Sequence, residues 1–482
     1  MQILIVVNDP EDWTLSIPGV ELVDARTYLT EPRYAQMRRS RVFNLCRSYR
    51  YQSVGYYVSL LAEARGHKPQ PSVACIQDMK LVSLMRVYSD EIDSVLQAAL
   101  QPIRGATFTL SIYFGMNMAK RYERLCRELF ELFPAPLLRV QFRREGDGWR
   151  MGQVAPLPAA DMPASHRGFA TLAARAYFLR NPKKKRKEAM RYDMAILYSP
   201  GEKNKPSNPR AIERFIRAAR ALSIEAEVVD RHSIGQLSSY DALFIRETTS
   251  VTHHTYRFSR RARAEGLAVL DDPDSILRCT NKVYLAQLLE RHRVATPKTL
   301  IVHKDNVERI IPTLGLPVIL KQPDSAFSLG VVKAKDEPQL KAMVASMLER
   351  SELIVAQKFS PTDFDWRVGV IDGQPLYACK YHMAKGHWQI VKQDGAGEAD
   401  YGNCETMAVQ DAPKEVIDTA LKASQLIGDG LYGVDLKQFA GKTYVIEVND
   451  NPNVDAGFED SVLKDELYHR IMASFVRRIE NP

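Results

Sequence analysis

Three oxygen-bearing residues near the end of the chain have the types and spacing to hold a metal ion: Asp435, Glu447 and Asn449, within GVDL (433–436) and VIEVN (445–449). Strand side chains alternate faces, so Glu447 and Asn449 point one way and Val448 the other. If a strand at 432–439 pairs with one at 443–449 through a turn at Ala440-Gly441-Lys442, Asp435 lies across from them. Two carboxylates and an amide oxygen then form one all-oxygen cluster. A hard divalent ion, Mg2+ or Mn2+, takes such ligands and completes its shell with phosphate oxygens and water. A single strand carboxylate is usually a lysine-paired surface group. The set is more pointed, because Glu447 and Asn449 interrupt an apolar run, where a charge is costly unless paired or metal-bound. The NDNPN stretch (449–453) suits a turn at the mouth of a site.

Upstream cations supply the opposite charge. Lys321 ends the apolar run PVILK (317–321), and Lys282 lies near the start of a helix. Lys321 runs into the loop PDSAFSLG (323–330), which carries Ser325 and Ser328 but one glycine, Gly330. Amides of such a loop can cover phosphates, and lysines neutralise them as point charges; alone, the segment reads equally as an ordinary hairpin loop. Gln357, Lys358 and Phe359, in AQKF (356–359), end an apolar strand and can form the edge of a flat slot for an adenine ring. Asp365 and Arg367 share a strand face, and Lys380 returns on the hairpin partner. Arginine suits bidentate recognition of carboxylate or phosphate; an Asp365–Arg367 ion pair is the competing reading.

Other chemistries find little support. Gly441-Lys442-Thr443 has Leu436 where a Walker A loop needs glycine, and no GxGxxG or HExxH occurs. The six cysteines form no CxxC pair, which argues against zinc or a disulfide framework. Net charge is +8, but Lys183, Lys184, Lys185, Arg186 and Lys187 supply five of it, so a nucleic-acid-binding face is not indicated beyond that run. No apolar run reaches the length of a membrane span, and the start lacks the pattern of a secretory signal, so a cytoplasmic location is expected. Homo-oligomerisation is left open.

The elements that must position these residues follow from periodicity. Strands are expected at 2–7 and 107–114, with helices at 55–64 (Ser53 as N-cap, Gly66 as stop) and 122–132. Residues 1–180 thus read as an α/β domain without a catalytic constellation. A basic linker spans 181–191. Strands at 194–198, 225–229, 241–246 and 267–270 alternate with helices at 208–222 and 253–265, which predicts a small parallel α/β domain over 192–275. Over 276–482 the order changes to strands at 317–321 and 352–359, a hairpin at 366–381 turning at Asp372-Gly373, a helix at 413–427 and the two closing strands.

The ordered set NK, VILK with a small-residue loop, AQKF, DxR, GVDL and IEVN resembles the ATP-grasp superfamily, and most of all its RimK-type glutamate ligases and bacterial glutathione synthetases. The resemblance covers about residues 192–482, and residues 1–180 resemble the extra N-terminal domain of some RimK-like ligases. It implies an α/β fold in which a pre-ATP-grasp domain precedes two subdomains clamping ATP. It implies Lys282 and Lys321 on the nucleotide phosphates, backbone of 357–359 on adenine, two magnesium ions on Asp435, Glu447 and Asn449, and Arg367 facing the transferred phosphate or the acceptor carboxylate. The activity implied is ATP-dependent joining of a carboxylate to the amine of an amino acid, a peptide or a protein tail. The pattern departs where the family carries a run like GDFRSN: here GHWQIV (386–391) stands, with Tyr381 in place of an arginine at the hairpin end. An ATP-binding scaffold without turnover is the alternative from another class.

Overall fold

The computed structural model describes all residues except 1, 14, 15, 38, 39, 147, 180–189, 325–329, 385–390, 394–398, 402 and 482. Two compact units emerge: residues 1–187 with 234–239, and residues 188–233 with 240–482.

In the first unit, β1 (Gln2–Val7), β2 (Val20–Asp24), β3 (Ser40–Asn44) and β4 (Lys68–Gln70) form a parallel sheet of order β2-β1-β3-β4. The apolar run of β1 suits a central strand covered on both faces, and Leu4 to Val7 are buried. Helix Val54–Ala64 begins as expected, with Ser53 Oγ accepting from the Tyr56 N–H at 3.4 Å, and Gly66 ends it at φ +70°. A second, antiparallel sheet follows, β5 (Thr107–Tyr113), β6 (Leu137–Glu145) and β7 (Gly148–Pro156), in the order β5-β6-β7. Helix Glu123–Leu132 packs on it through Leu125, Cys126 and Leu129.

The second unit opens with β8 (Tyr192–Leu197), β9 (Ile224–Val229), β10 (Ala242–Ile245) and β11 (Ala268–Leu270), a parallel sheet of order β11-β10-β8-β9. Two antiparallel sheets follow. One contains β12 (Thr299–Val302), β13 (Val318–Lys321), β14 (Val331–Ala334) and β15 (Ile354–Lys358), in the order β12-β15-β13-β14. The other contains β16 (Phe364–Ile371) and β17 (Gln374–His382) with three later strands. After a two-stranded ribbon of β18 (Val391–Gln393) and β19 (Ala399–Tyr401) come β20 (Cys404–Met407), β21 (Leu431–Phe439) and β22 (Lys442–Asp450), giving the order β20-β17-β16-β21-β22. The β21–β22 turn has Ala440 and Gly441 both at positive φ, 49° and 70°, as a two-residue hairpin turn requires.

Residues 192–275 do not close a core of their own. Phe215 and Phe244 pack with Ile371, Leu431 and, from the closing helix Asp465–Glu480, Tyr468 and Phe475. The parallel layer and the end of the chain are thus one hydrophobic body.

Candidate functional site

The site is assembled by strand register. In the β21–β22 ladder Asp435 stands opposite Glu447, and Gly433 opposite Asn449. Arg367 of β16 stands opposite Asp435 on its other side. Arg367, Asp435 and Glu447 thus form a row across three adjacent strands. A bulge beside Asp435 pairs Leu436 with Val445 and leaves Ile446 without a ladder partner. The extra residue reverses the alternation: Val445 and Val448 both face the core at 0 % exposure, while Glu447 and Asn449 face the site.

Each carboxylate is gripped by a cation. Arg367 holds Asp435 through two bonds, Nε to Oδ1 at 2.6 Å and Nη2 to Oδ2 at 2.7 Å. Asn449 Nδ2 donates to Asp435 Oδ2 at 3.1 Å. Lys282 Nζ reaches Glu447 Oε1 at 2.9 Å. Lys282 is the first residue of helix Lys282–Arg291, capped by Asn281 Oδ1, which accepts from Val283 and Tyr284 N–H. A lysine there opposes the helix dipole, so its placement is set by the carboxylate it meets. Burial pushes the Glu447 carboxyl up, but Lys282 and Lys321 pull harder and hold it below its ordinary value.

Lys321 closes β13 and is buried. Burial lowers its ammonium to about 8, Lys282 and Lys437 press in the same direction, and Glu447 and Asp365 oppose. Asp365 is held by Lys437 and by Thr362 Oγ1 at 3.0 Å; burial still leaves its carboxyl above the ordinary range. So Asp365 and Arg367 do not pair with each other. Each takes a partner from β21, Lys437 and Asp435 respectively. Lys437 was not singled out from the sequence, though it lies two residues after Asp435 on the same strand face.

Lys380 is not brought to this face. It stands opposite Trp366 in the β16–β17 ladder, and its Nζ lies 5.2 and 5.4 Å from the ring centroids of Phe364 and Trp366. Antiparallel partners share a face, so Lys380 points away from Arg367. The site face receives Cys379 and Tyr381 instead. The Tyr381 ring lies under the Arg367 guanidinium at 5.1 Å, and its hydroxyl donates to Glu459. Gln357 is buried, with its side-chain amide on Thr299 Oγ1 at 3.0 Å. The Lys358 N–H already donates to the Lys298 carbonyl at 2.9 Å, and Lys333 Nζ sits 4.4 Å from the Phe359 ring centroid. Ser325 and Ser328, and most of GHWQIV, lie outside the described residues. The NDNPN stretch is anchored rather than open: buried Arg246 donates to Asn451 Oδ1 at 2.7 Å and to the Pro452 carbonyl at 2.9 Å.

One face therefore collects four cations, Lys282, Lys321, Arg367 and Lys437, and three carboxylates, Asp365, Asp435 and Glu447. A polyphosphate would more than reverse that balance, and a divalent ion would offset part of the change. Among the described residues no three Asp, Glu, His or Cys side chains converge as a metal-ligand group. Asp435, Glu447 and Asn449 lie together on this face, with both Asp435 oxygens held by Arg367, one of them also by Asn449 Nδ2, and Glu447 held by Lys282.

Two antiparallel sheets, the buried Lys282 and Lys321, and a carboxylate row on the second sheet are the framework of an ATP-grasp domain. Residues 279–472 match the RimK-like ATP-grasp domain, and residues 25–173 match the RimK-like ATPgrasp N-terminal domain; the chain belongs to the RimK-like ATP-grasp proteins. A probable alpha-L-glutamate ligase of Vibrio vulnificus is 26% identical over 271 residues, 52% of this chain and 87% of that protein. One of Teredinibacter turnerae is 27% identical over 239 residues, 49% of this chain and 76% of its own. The crystal structure of a D-alanine–D-alanine ligase from Bacillus anthracis aligns over 60% of this chain and 98% of its own, at 15% identity and TM-score 0.47. No helix among the described residues is long and apolar enough to cross a membrane.

Proposed function

We propose that the chain is an ATP-dependent, ADP-forming carboxylate–amine ligase, adding an amino acid such as glutamate to an amino acid, peptide or protein-tail acceptor. The observation that carries this is the cation-on-carboxylate row of Lys282–Glu447 and Arg367–Asp435 beside buried Lys321. Such a row is a polyphosphate site whose anionic half suits a divalent ion and whose cationic half suits phosphate oxygens. The relatives named as glutamate ligases support the same class.

In this reading Asp435, Glu447 and Asn449 hold magnesium, which when bound neutralises charge on the phosphate oxygens. Lys282 and Lys321 stabilise the triphosphate. Arg367 has five N–H donors, of which Asp435 takes two; the rest of the guanidinium can orient the transferred phosphoryl group or the acceptor carboxylate. A substrate carboxylate oxygen attacks the γ-phosphorus, the bond to the β-phosphate oxygen breaks, and ADP leaves. The amine nitrogen then attacks the acyl carbon, the C–O bond to phosphate breaks, and the nitrogen proton passes to solvent. The protein contributes position and charge rather than a nucleophile. Lys380, on the opposite sheet face, has no part in this scheme.

The test is a screen of ADP release with amino acids and dipeptides, with mass spectrometry of the products. A ligase releases ADP only when a carboxylate–amine pair is present and yields a product heavier by one residue. A scaffold releases none with any pool, and that result would reject the proposal.

A further inference from the structure

Strand β7 is the edge of the β5-β6-β7 sheet. An edge strand presents N–H and C=O groups that require partners. Along its first half these are supplied by side chains: Ser89 Oγ accepts from the Met151 N–H at 3.0 Å, and Gln97 accepts from the Trp149 N–H at 2.8 Å while donating to its carbonyl at 2.9 Å. Along the second half, 152–156, no such cap comes from a described side chain. Outside the β6 ladder, that backbone makes no hydrogen bond to a described residue. These five residues instead line a cavity of about 550 Å³. Gln153 and Ala155 face one side of the sheet and buried Val154 the other. A cavity touched by all three runs along the strand edge, not over one face.

The opposite wall is the loop after β3, from Arg47 to Arg50, with Ile76, Met79 and Lys80. In the order β2-β1-β3-β4 successive strands are added on opposite sides of β1, so a switch point falls between β1 and β3, and open parallel sheets take ligands in the crevice beyond the carboxyl ends at that point. The loop is held rigidly. The Arg47 N–H donates to Asn8 Oδ1 at 2.7 Å, the Tyr49 hydroxyl to the Asn44 carbonyl at 2.6 Å, and Ser53 Oγ to the Ser48 carbonyl at 2.8 Å. No carboxylate lines the cavity, while Arg47, Arg50 and Lys80 do. A second cavity of about 210 Å³ lies over the β6–β7 face, lined by Arg139, Gln141, Gln153 and Ala155 and again by no carboxylate among the described residues. Arg47 is balanced by Asp12 at 2.6 Å. Asp9 and Asp161 also act on Arg47, so the positive charge left for a ligand is that of the exposed Arg50 and Lys80.

We propose that the first unit binds an extended peptide segment bearing acidic side chains, paired along residues 152–156 of β7, where Pro156 offers only its carbonyl. An open strand edge recognises a backbone, and side chains at alternate positions give specificity. The five strand residues span about 16 Å at roughly 3.3 Å each, room for a peptide of about five residues. A compact anion such as phosphate would leave both the strand edge and the apolar wall of Ile76 and Met79 unused.

The test uses the full-length protein and a fluorescent pentapeptide alternating Glu and Val, followed by anisotropy. Saturable binding is expected, weakened about tenfold or more in each of three arms: Gln in place of Glu, N-methylation of alternate peptide amides, and the double variant Arg50→Glu with Lys80→Glu. Both substitutions are at exposed loop positions outside the ligase site, so circular dichroism and ADP release should be unchanged. No saturable binding would overturn the proposal. So would equal affinity in any of the three arms, or displacement by millimolar inorganic phosphate. Peptide anisotropy reads this site and ADP release reads the ligase site, so either reading can fail without the other.

Discussion

Glu447 is the residue on which most of the site's charge converges, because Lys282 bonds it and Lys321 acts on it. Replacing it with alanine removes the proposed metal ligand and leaves Lys282 without that anion. Metal-dependent ATP turnover by Glu447→Ala is expected to fall roughly a hundredfold or more, the scale seen when a charge-stabilising group is lost; near-normal turnover would reject the metal assignment. Lys321 offers a pH signature. Burial lowers its ammonium to about 8, and bound polyphosphate favours the charged form and raises that value. Below 8 the free site is already protonated; above it, binding must take up a proton. ATP affinity should therefore weaken by up to about tenfold per pH unit above 8. Lys321→Arg, which does not titrate in that range, should flatten the profile, as calorimetry in buffers of different ionisation enthalpy can read.

At the scale of elements, the β16–β17 turn is tied to the closing helix Asp465–Glu480. Asp372 accepts from Ser474 Oγ at 2.8 Å and Arg478 Nη2 at 2.7 Å, with Arg477 alongside. Burial opposes ionisation there, but those hydrogen bonds win and hold the Asp372 carboxyl below its ordinary 3.8. A depressed folded value means stabilisation fully present above 3.8 and lost as pH falls through the lower folded value. Asp372→Asn should cost about 1–3 kcal/mol at pH 7, with the gap between variant and parent closing in acid, measured by urea unfolding. Gly433 is fixed by close approach rather than by dihedral. A Cβ there would meet Pro452 Cβ at 2.7 Å and Arg367 Cδ at 3.5 Å. Gly433→Ala is expected to destabilise by about 1–3 kcal/mol and, by shifting Arg367, to lower turnover beyond what the folded fraction explains.

For the whole molecule, the hydrophobic clusters divide with the two units. Those of the first use residues up to Phe178, and those of the second begin at Tyr192. Separate cores should melt separately, so scanning calorimetry is expected to show two transitions. MgATP at a hundred times its Kd should raise only the transition of the second unit, by about 2.7 kcal/mol of added stability. A single transition, or a shift in both, would contradict this division of the energetics.

What the chain alone determined is the part governed by short-range rules. The alternation of IEVN places Glu447 and Asn449 on one sheet face, apolar runs mark the strands, and Ser53 and Gly66 bound a helix. The tertiary structure decided what depends on register and on neighbours distant in sequence. Which cation each carboxylate takes is set by strand pairing: Asp365 goes to Lys437 and Arg367 to Asp435. The same pairing turns Lys380 away from the site, since one residue of register reverses a side chain's face. The bulge that sends Val445 into the core beside an outward Glu447 has no signature in residue type.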